Sequence, residues 1–105
     1  MKTVFRDRHE QLRYAKFVEI TRRLRRNPAM IDDTRAFVLT HMQTDPHQRA
    51  YADRWLAVLA LPVEMINDKL LADSPEGDLL RDTAPPFGRG FTSREVAEII
   101  DKLHA

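Results

Sequence analysis

The amino-acid sequence predicts an all-α protein, a compact bundle of about five to six short helices with mostly antiparallel neighbours and no sheet. Three observations support this prediction. Apolar residues recur at helical spacing, helix-starting residue pairs divide the chain at short intervals, and no stretch alternates apolar and polar residues for long enough to form a strand. The length of 105 residues fits one domain over residues 1–105, with a basic N-terminal helix and a helical body over about 28–103.

The first helix is predicted over about residues 6–26. This segment contains neither glycine nor proline, and Tyr14, Phe17, Ile20 and Leu24 follow one another at spacings of three and four residues. The spacing predicts an amphipathic helix with a narrow apolar stripe and a broad charged face.

Pairs of a capping residue and a proline predict the starts of later helices. Asn27-Pro28, Asp45-Pro46 and Ser74-Pro75 are three such pairs. Asn, Asp and Ser accept hydrogen bonds from the free N–H groups of a first turn, and proline is tolerated there because it lacks an N–H. Each pair therefore predicts a helix that begins at its proline.

The remaining boundaries come from Pro62, from the loop "TAPPFGRGF" and from a capping box of Thr92 and Glu95. The helical body is therefore predicted to contain helices over about 28–43, 46–60, 62–72, 75–82 and 93–103. The residues predicted to face the core are Ile31, Val38, Met42, Tyr51, Trp55, Val58, Leu59, Val63, Ile66, Leu70, Leu79, Leu80, Val96, Ile99, Ile100 and Leu103, with Met30 and Phe37 beside them.

Charge is unevenly distributed along a chain whose net charge is +1. Residues 1–26 hold nine Lys or Arg against three Asp or Glu, whereas the rest holds eight against thirteen. The segment "TRRLRR" at 21–26 ends the first helix with four arginines. One or two cations would complement the helix dipole, and four exceed that need.

Three interpretations of these arginines remain open: a solvated face, a surface for a protein partner, or a surface for nucleic acid. Arginine forks match carboxylate and phosphate groups alike. No aromatic residue lies between the exposed basic residues, where it could stack on the nucleobases of a single strand. This disfavours a nucleic-acid partner. The residues predicted to bind a partner are Arg13, Arg22, Arg23, Arg25 and Arg26, with Val4, Phe5 and Val18 as apolar candidates beside them.

Catalytic and metal-binding signatures are missing from the sequence. There is no cysteine, no pair of histidines four residues apart on a helix, and no glycine-rich phosphate loop or nucleophile elbow. The nearest approach to a ligand cluster is His41, Asp45 and His47, but Asp45 is expected to cap a helix. We therefore expect no enzymatic activity, no cofactor and no metal. No segment reaches the length of a membrane span or shows a signal peptide, so a cytoplasmic protein is expected.

The last sixteen residues, "GFTSREVAEIIDKLHA", look like the opening of a helix-turn-helix. A reader of DNA needs a recognition helix after this one, and the sequence contains none. As a recognition helix itself, 93–103 offers Arg94 and Lys102 against three acidic residues, so it would repel DNA about as much as attract it. The segment is instead expected to complete the core.

Residues 53–100 carry a pattern that resembles a group of short helical bacterial antitoxin-like proteins encoded beside toxins. The matching residues are Trp55, Leu59 to Pro62, Asp73-Ser74, Arg81 with Pro85 to Phe87, and Ser93-Arg94-Glu95, where an additional proline makes the loop slightly irregular. The resemblance implies an antitoxin-like protein or chaperone that holds a toxic enzyme inactive, and it implies kinase-like or nucleotide-transferring toxins as partners.

The sequence therefore predicts a protein that binds and inhibits a cognate bacterial toxin or effector enzyme. The alternative is a nucleic-acid-binding regulator that uses the same basic first helix. A third hypothesis is a structural subunit of an oligomer.

Overall fold

A computed structural model describes residues 1–104, and it confirms an all-helical fold with no strand in that range. The helices are α1 (Arg8–Arg26), α2 (Met30–Phe37), α3 (Arg49–Leu59), α4 (Val63–Leu70), α5 (Pro75–Asp82) and α6 (Ser93–Leu103). Helix α2 continues directly into one turn of π-helix, Val38–Met42, in which the Gln43 N–H donates to the Val38 carbonyl at 2.9 Å.

The helices α1 to α5 surround one hydrophobic core with Trp55 fully buried in it. The Trp55 ring meets the ring of Phe87 edge-on, with centroids 5.8 Å apart, and its Nε1 donates to the Thr83 hydroxyl at 3.1 Å. A buried tryptophan needs such a partner for its N–H. The loop before α6 is thereby held against α3, and Trp55 is a core residue as predicted.

The apolar stripe of α1 is buried along its length, as its spacing predicted. Tyr14, Phe17, Ile20 and Leu24 face the core, together with the polar residue Thr21. Helix α4 runs antiparallel to α1, since Glu64 at its start pairs with Arg25, whereas Tyr14 donates to the carbonyl of Leu71 beyond its end. Helix α5 runs parallel to α1 on the neighbouring side.

Two of the predicted helix starts are wrong in detail. Asn27 ends α1 and its side chain caps nothing; a turn precedes α2, whose N-cap is Ala29. Asn27 instead forms the C-terminal end of α1, where its backbone N–H donates to the carbonyl of Arg23. The side chain of Asp45 accepts from the N–H of His47 in a local turn, so α3 begins at Arg49 and not at Pro46.

The other two cap predictions are confirmed. The Ser74 side chain accepts from the N–H of Gly77 at 3.1 Å, with Pro75 in the first turn of α5. Thr92 and Glu95 form a reciprocal capping box at the start of α6.

Two predictions of core residues are wrong. Tyr51 is exposed, because the buried stripe of α3 runs through Ala52 and Trp55 and leaves Tyr51 at its edge. Helix α6 contributes no fully buried residue, since it packs chiefly along the outside of α1. Its apolar side chains Val96, Ile99 and Leu103 are only half-buried, and Ile100 is exposed.

A buried arginine, Arg81, which the sequence analysis named only as part of the resemblance, joins three helices. The Arg81 guanidinium donates to the carbonyls of Leu70 and Ala72, at 2.9 and 3.0 Å, and lies 4.9 Å from the centre of the Tyr14 ring. It also pairs with Asp78 at 2.6 Å. Carbonyls at the end of α4 thus receive donors from α5, which sets the angle between these two helices.

Candidate partner-binding surface

The predicted binding arginines all lie on α1, but the structure divides them into three different environments. Arg22, Arg25 and Arg26 project outward near the C-terminal end of α1, and we call these three residues the arginine ridge. Their side chains are 59%, 48% and 70% exposed, respectively. Helical geometry places them within two turns of one another, while the opposite face of α1 is held rigidly by the core.

The arginine ridge has few carboxylates to balance its charge. One carboxylate, that of Glu19, contacts the guanidinium groups of Arg22, Arg26 and the neighbouring Arg23, with N···O distances of 3.5, 3.2 and 3.7 Å. Arg25 pairs with Glu64 of α4 at 3.0 Å, and this pair is exposed on both sides. Ion pairs exposed to solvent contribute about 0–1 kcal/mol each, so these arginines can exchange their present carboxylates for those of a partner at small cost.

Arg23 belongs to the fold and not to the ridge. Its side chain is 11% exposed, it donates to the Glu95 carboxylate at 2.6 Å and to the Gly90 carbonyl at 2.7 Å, and its guanidinium lies 4.4 Å from the centre of the Phe91 ring. All of these partners lie in or just before α6. Arg23 therefore fastens the last helix to α1, and a partner could reach little of it.

Arg13 is separated from the arginine ridge by more than two turns of α1, roughly 13 Å along the helix axis from Arg22. It pairs with Asp82 at the end of α5. It lines a polar cleft between α1 and α5 together with Lys2 and Arg81. The five predicted residues therefore do not form one surface.

The floor of that polar cleft is a chain of ion pairs that ties the N-terminal segment to the bundle. Lys2 pairs with Glu10 at 2.6 Å and with Asp78 at 2.9 Å. Hydrogen bonds from Lys2 and then from Arg6 lower the pKa of Glu10 to about 2. The same contacts raise the pKa of Lys2. These charges satisfy one another, which leaves the cleft little attraction for an external ion.

An apolar groove lies beside the arginine ridge, where α6 runs antiparallel along α1. It consists of two hollows that share Leu103 of α6: Ala15, Val18 and Ile99 line one, and Leu12 and Ile100 line the other. We call the two hollows together the α1–α6 groove. Arg22 lines both this groove and the arginine ridge, so the two surfaces are continuous.

Sequence reasoning assigned the apolar face of α6 to the core and so missed this groove. The signal was present, because α6 separates its apolar and polar faces more sharply than the other helices of residues 1–104 do. Of the apolar candidates named from the sequence, Val18 lines the groove. Phe5 packs on Tyr14 with ring centres 5.5 Å apart, and Val4 is exposed elsewhere on the N-terminal segment.

Residues 1–104 contain no group of three or more His, Asp or Glu side chains that could hold a metal ion. His41, Asp45 and His47 do not form one, since the Asp45 carboxylate is engaged in its own turn and the His41 ring packs on Phe37, 4.7 Å between ring centres. Across the same residues, no helix has the length and apolarity needed to cross a bilayer.

The fold and surface define a class: a small all-helical bundle with an arginine ridge on its first helix and an apolar groove next to it. No protein family model, no curated protein and no solved structure matches this chain.

Proposed function

We propose that this protein is an antitoxin-like partner or chaperone that binds a bacterial toxin or effector enzyme and holds it inactive through protein–protein contacts. The arginine ridge is the observation that carries the proposal. Three exposed guanidinium groups stand on a helix whose other face is fixed in the core, and Glu19 serves two of them together with Arg23.

The charge of the ridge fits a partner that offers carboxylates. Electrostatic complementarity of this kind speeds association and selects partners more than it raises affinity. An enzyme that handles nucleotides binds its metal ions through carboxylates, and an arginine surface placed over such a site would block it. The proposed partner is therefore a toxin enzyme, kinase-like or nucleotide-transferring, with an acidic active-site mouth.

Several of the residues that carry the resemblance to antitoxin-like proteins hold structural positions. Trp55 and Phe87 pack together in the core, Arg81 joins α4 to α5, and Ser74 caps α5. A pattern made of such residues specifies a bundle. The resemblance therefore supports a shared fold, and the arginine ridge of α1, outside residues 53–100, would supply the specificity for one partner. The proposal includes a cytoplasmic location, since the partner must meet its toxin before the toxin acts.

The test is a growth assay with the product of the gene that adjoins this one as the candidate partner. If the proposal is right, expression of that product alone should arrest growth, and co-expression of this protein should restore it. The double variant Arg22→Glu/Arg26→Glu should lose protection, because it reverses the charge of the ridge while Arg23 stays in place. The purified variant should also lose binding to the enzyme by about tenfold or more in calorimetry.

The matched control is Arg49→Glu/Arg54→Glu, which reverses two exposed arginines at the start and middle of α3. It should protect as well as the unchanged protein. Equal protection by both double variants would contradict the role of the ridge. Binding to random duplex DNA that falls steeply with salt and disappears in Arg22→Glu/Arg26→Glu, without any rescue of growth, would instead establish the nucleic-acid alternative.

A further inference from the structure

We infer that the α1–α6 groove receives an amphipathic helix from the partner, with apolar residues along one face and acidic residues on both flanks. The inference rests on the proposed function, because it names the part of the partner that this surface binds. The two surfaces share Arg22, but Ile100 and Lys102 belong to the groove alone, so variants of these two residues test the groove separately from the ridge.

The groove forms where α6 packs on α1 and leaves two hollows between their side chains. Leu103 of α6 stands between two hollows on α1. The first, of about 180 Å³, is closed by Ala15, Val18 and Ile99, and the second, of about 230 Å³, by Leu12 and Ile100. Hollows separated by a ridge of side chains are what a third helix fills when it packs against a helix pair.

The burial of α6 shows that its apolar face lacks a complete cover. Val96, Ile99 and Leu103 are half-buried and Ile100 is 37% exposed, although α6 is the most sharply amphipathic helix in residues 1–104. An amphipathic helix laid into a hydrophobic groove buries such residues at spacings of three and four.

The charges on the rim select an acidic occupant. Arg22 and Lys102 border the first hollow, Arg8 borders the second with His9 and His104, and all of these side chains are exposed. Among residues 1–104, Glu19 is the single acidic residue that lines either hollow, and three arginines already share it. Acidic residues on both flanks of the incoming helix would therefore meet cations on both sides of the groove.

A second copy of the chain fits this surface poorly. A two-fold symmetric pair brings the same patch of both copies together. The rim cations Arg8, Arg22 and Lys102 of one copy would then face the same cations of the other, which costs association energy. Charge complementarity therefore favours a partner helix with acidic flanks over self-association.

The experiment uses the full chain and two synthetic peptides of about 18 residues, five helical turns long. Both carry leucines at spacings of three and four, one with glutamates on its flanks and the other with lysines at the same positions. Fluorescence anisotropy should show binding of the glutamate peptide, weaker at high salt, and at least about tenfold weaker binding of the lysine peptide. Amide shifts in an NMR titration should map to α6 and to Leu12, Ala15 and Val18.

Two variants locate the binding. Ile100→Glu places a negative charge on the exposed side of the groove and should weaken binding of the glutamate peptide by about tenfold or more. Met65→Glu makes the same kind of change at an exposed apolar residue of α4 and should leave binding unchanged. Circular dichroism checks that both variants keep their helices, and Lys102→Glu, which removes no apolar contact, should weaken binding on its own.

The inference is overturned if the glutamate peptide does not bind, if both peptides bind equally, or if Ile100→Glu has no effect. It is also overturned if sedimentation equilibrium shows a dimer that Ile100→Glu dissociates, because the occupant would then be a second copy. The growth assay separates this inference from the proposed function. Full protection by a protein that binds neither peptide would remove the groove inference alone, whereas peptide binding without any protection would remove the proposed function alone.

Discussion

Arg23 and Glu95 form an ion pair, with Nη2 of the arginine 2.6 Å from Oε2 of the glutamate, and this pair joins the first helix to the last. The same carboxylate accepts the N–H of Thr92 in the capping box of α6 and pairs with Arg89 at 2.7 Å. One glutamate thus begins α6 and fixes it to α1. For that reason Arg23 stabilises the fold while its neighbours on the ridge remain available.

Arg23→Ala should lower the free energy of unfolding by about 2 kcal/mol, because it removes one largely buried donor from the Gly90 carbonyl, another from the Glu95 carboxylate, and the contact of the guanidinium with the Phe91 ring. Arg22→Ala, one residue away and exposed, should change it by less than about 0.5 kcal/mol. Urea denaturation followed by circular dichroism measures both values. If the two variants proved equally stable, the division of these arginines into structural and ridge residues would be wrong.

Arg81→Met should lower the stability of the protein more than Arg23→Ala does. The methionine keeps most of the side-chain volume but removes the donors to two backbone carbonyls at the end of α4. We expect a loss of about 3 kcal/mol in the free energy of unfolding. Arg54→Met on the exposed face of α3 is the control and should cost less than about 0.5 kcal/mol. An unchanged urea midpoint for Arg81→Met would show that the buried guanidinium does not hold α4 and α5 together.

Gly77→Ala should destabilise the protein although glycine is a poor helix former. Alanine in a helix is ordinarily favoured by about 1 kcal/mol. Here its Cβ would overlap the carbonyl oxygen of Ala72, which is backbone and cannot move aside freely. We expect a net loss of about 1–3 kcal/mol. Thermal unfolding measures it against Glu76→Ala in the same turn, and a rise in melting temperature for Gly77→Ala would refute the close approach.

Acid should weaken the protein through two glutamates. Hydrogen bonds from Lys2 and Arg6 lower the pKa of Glu10 from 4.5 to about 2, and the guanidinium of Arg89 with the N–H of Thr92 lowers that of Glu95 further. A carboxyl whose pKa is lower in the folded state stabilises it above its unfolded value of 4.5 and loses that contribution as the pH falls towards 2.

The measurement is the urea midpoint at pH 7 and at pH 3. The unchanged protein should lose stability between them. Glu10→Gln should have a lower urea midpoint than the unchanged protein at pH 7. Its midpoint should fall less between pH 7 and pH 3, because the glutamine does not titrate. Parallel losses in both proteins would mean that the contacts of Glu10 with Lys2 and Arg6 do not form in solution.

Much of the fold follows from short-range patterns in the chain. The spacing of Tyr14, Phe17, Ile20 and Leu24 predicted the buried face of α1, and Ser74 and Thr92 predicted helix starts that the structure confirms. Asn27 and Asp45 failed as caps because Asn27 ends the preceding helix and the Asp45 side chain accepts a hydrogen bond within its own turn.

The candidate surface was only partly predictable. The sequence located the arginines of α1, but residues at adjacent positions received opposite roles. Arg22 points to solvent and Arg23 points to α6, and this difference depends on where α6 lies. Likewise, amphipathic spacing showed that α6 must bury one face, without showing whether the core or an outside partner covers it.

By itself, the sequence determined the helices, the buried stripe of α1 and the excess of positive charge on that helix, because these depend on neighbours three or four positions apart. Only the tertiary structure decided which arginines remain exposed, how Arg81 joins α4 to α5, and that α6 lies outside the core with an open groove beside it. These features depend on side chains that meet across long sequence separations, and local spacing carries no information about such distances.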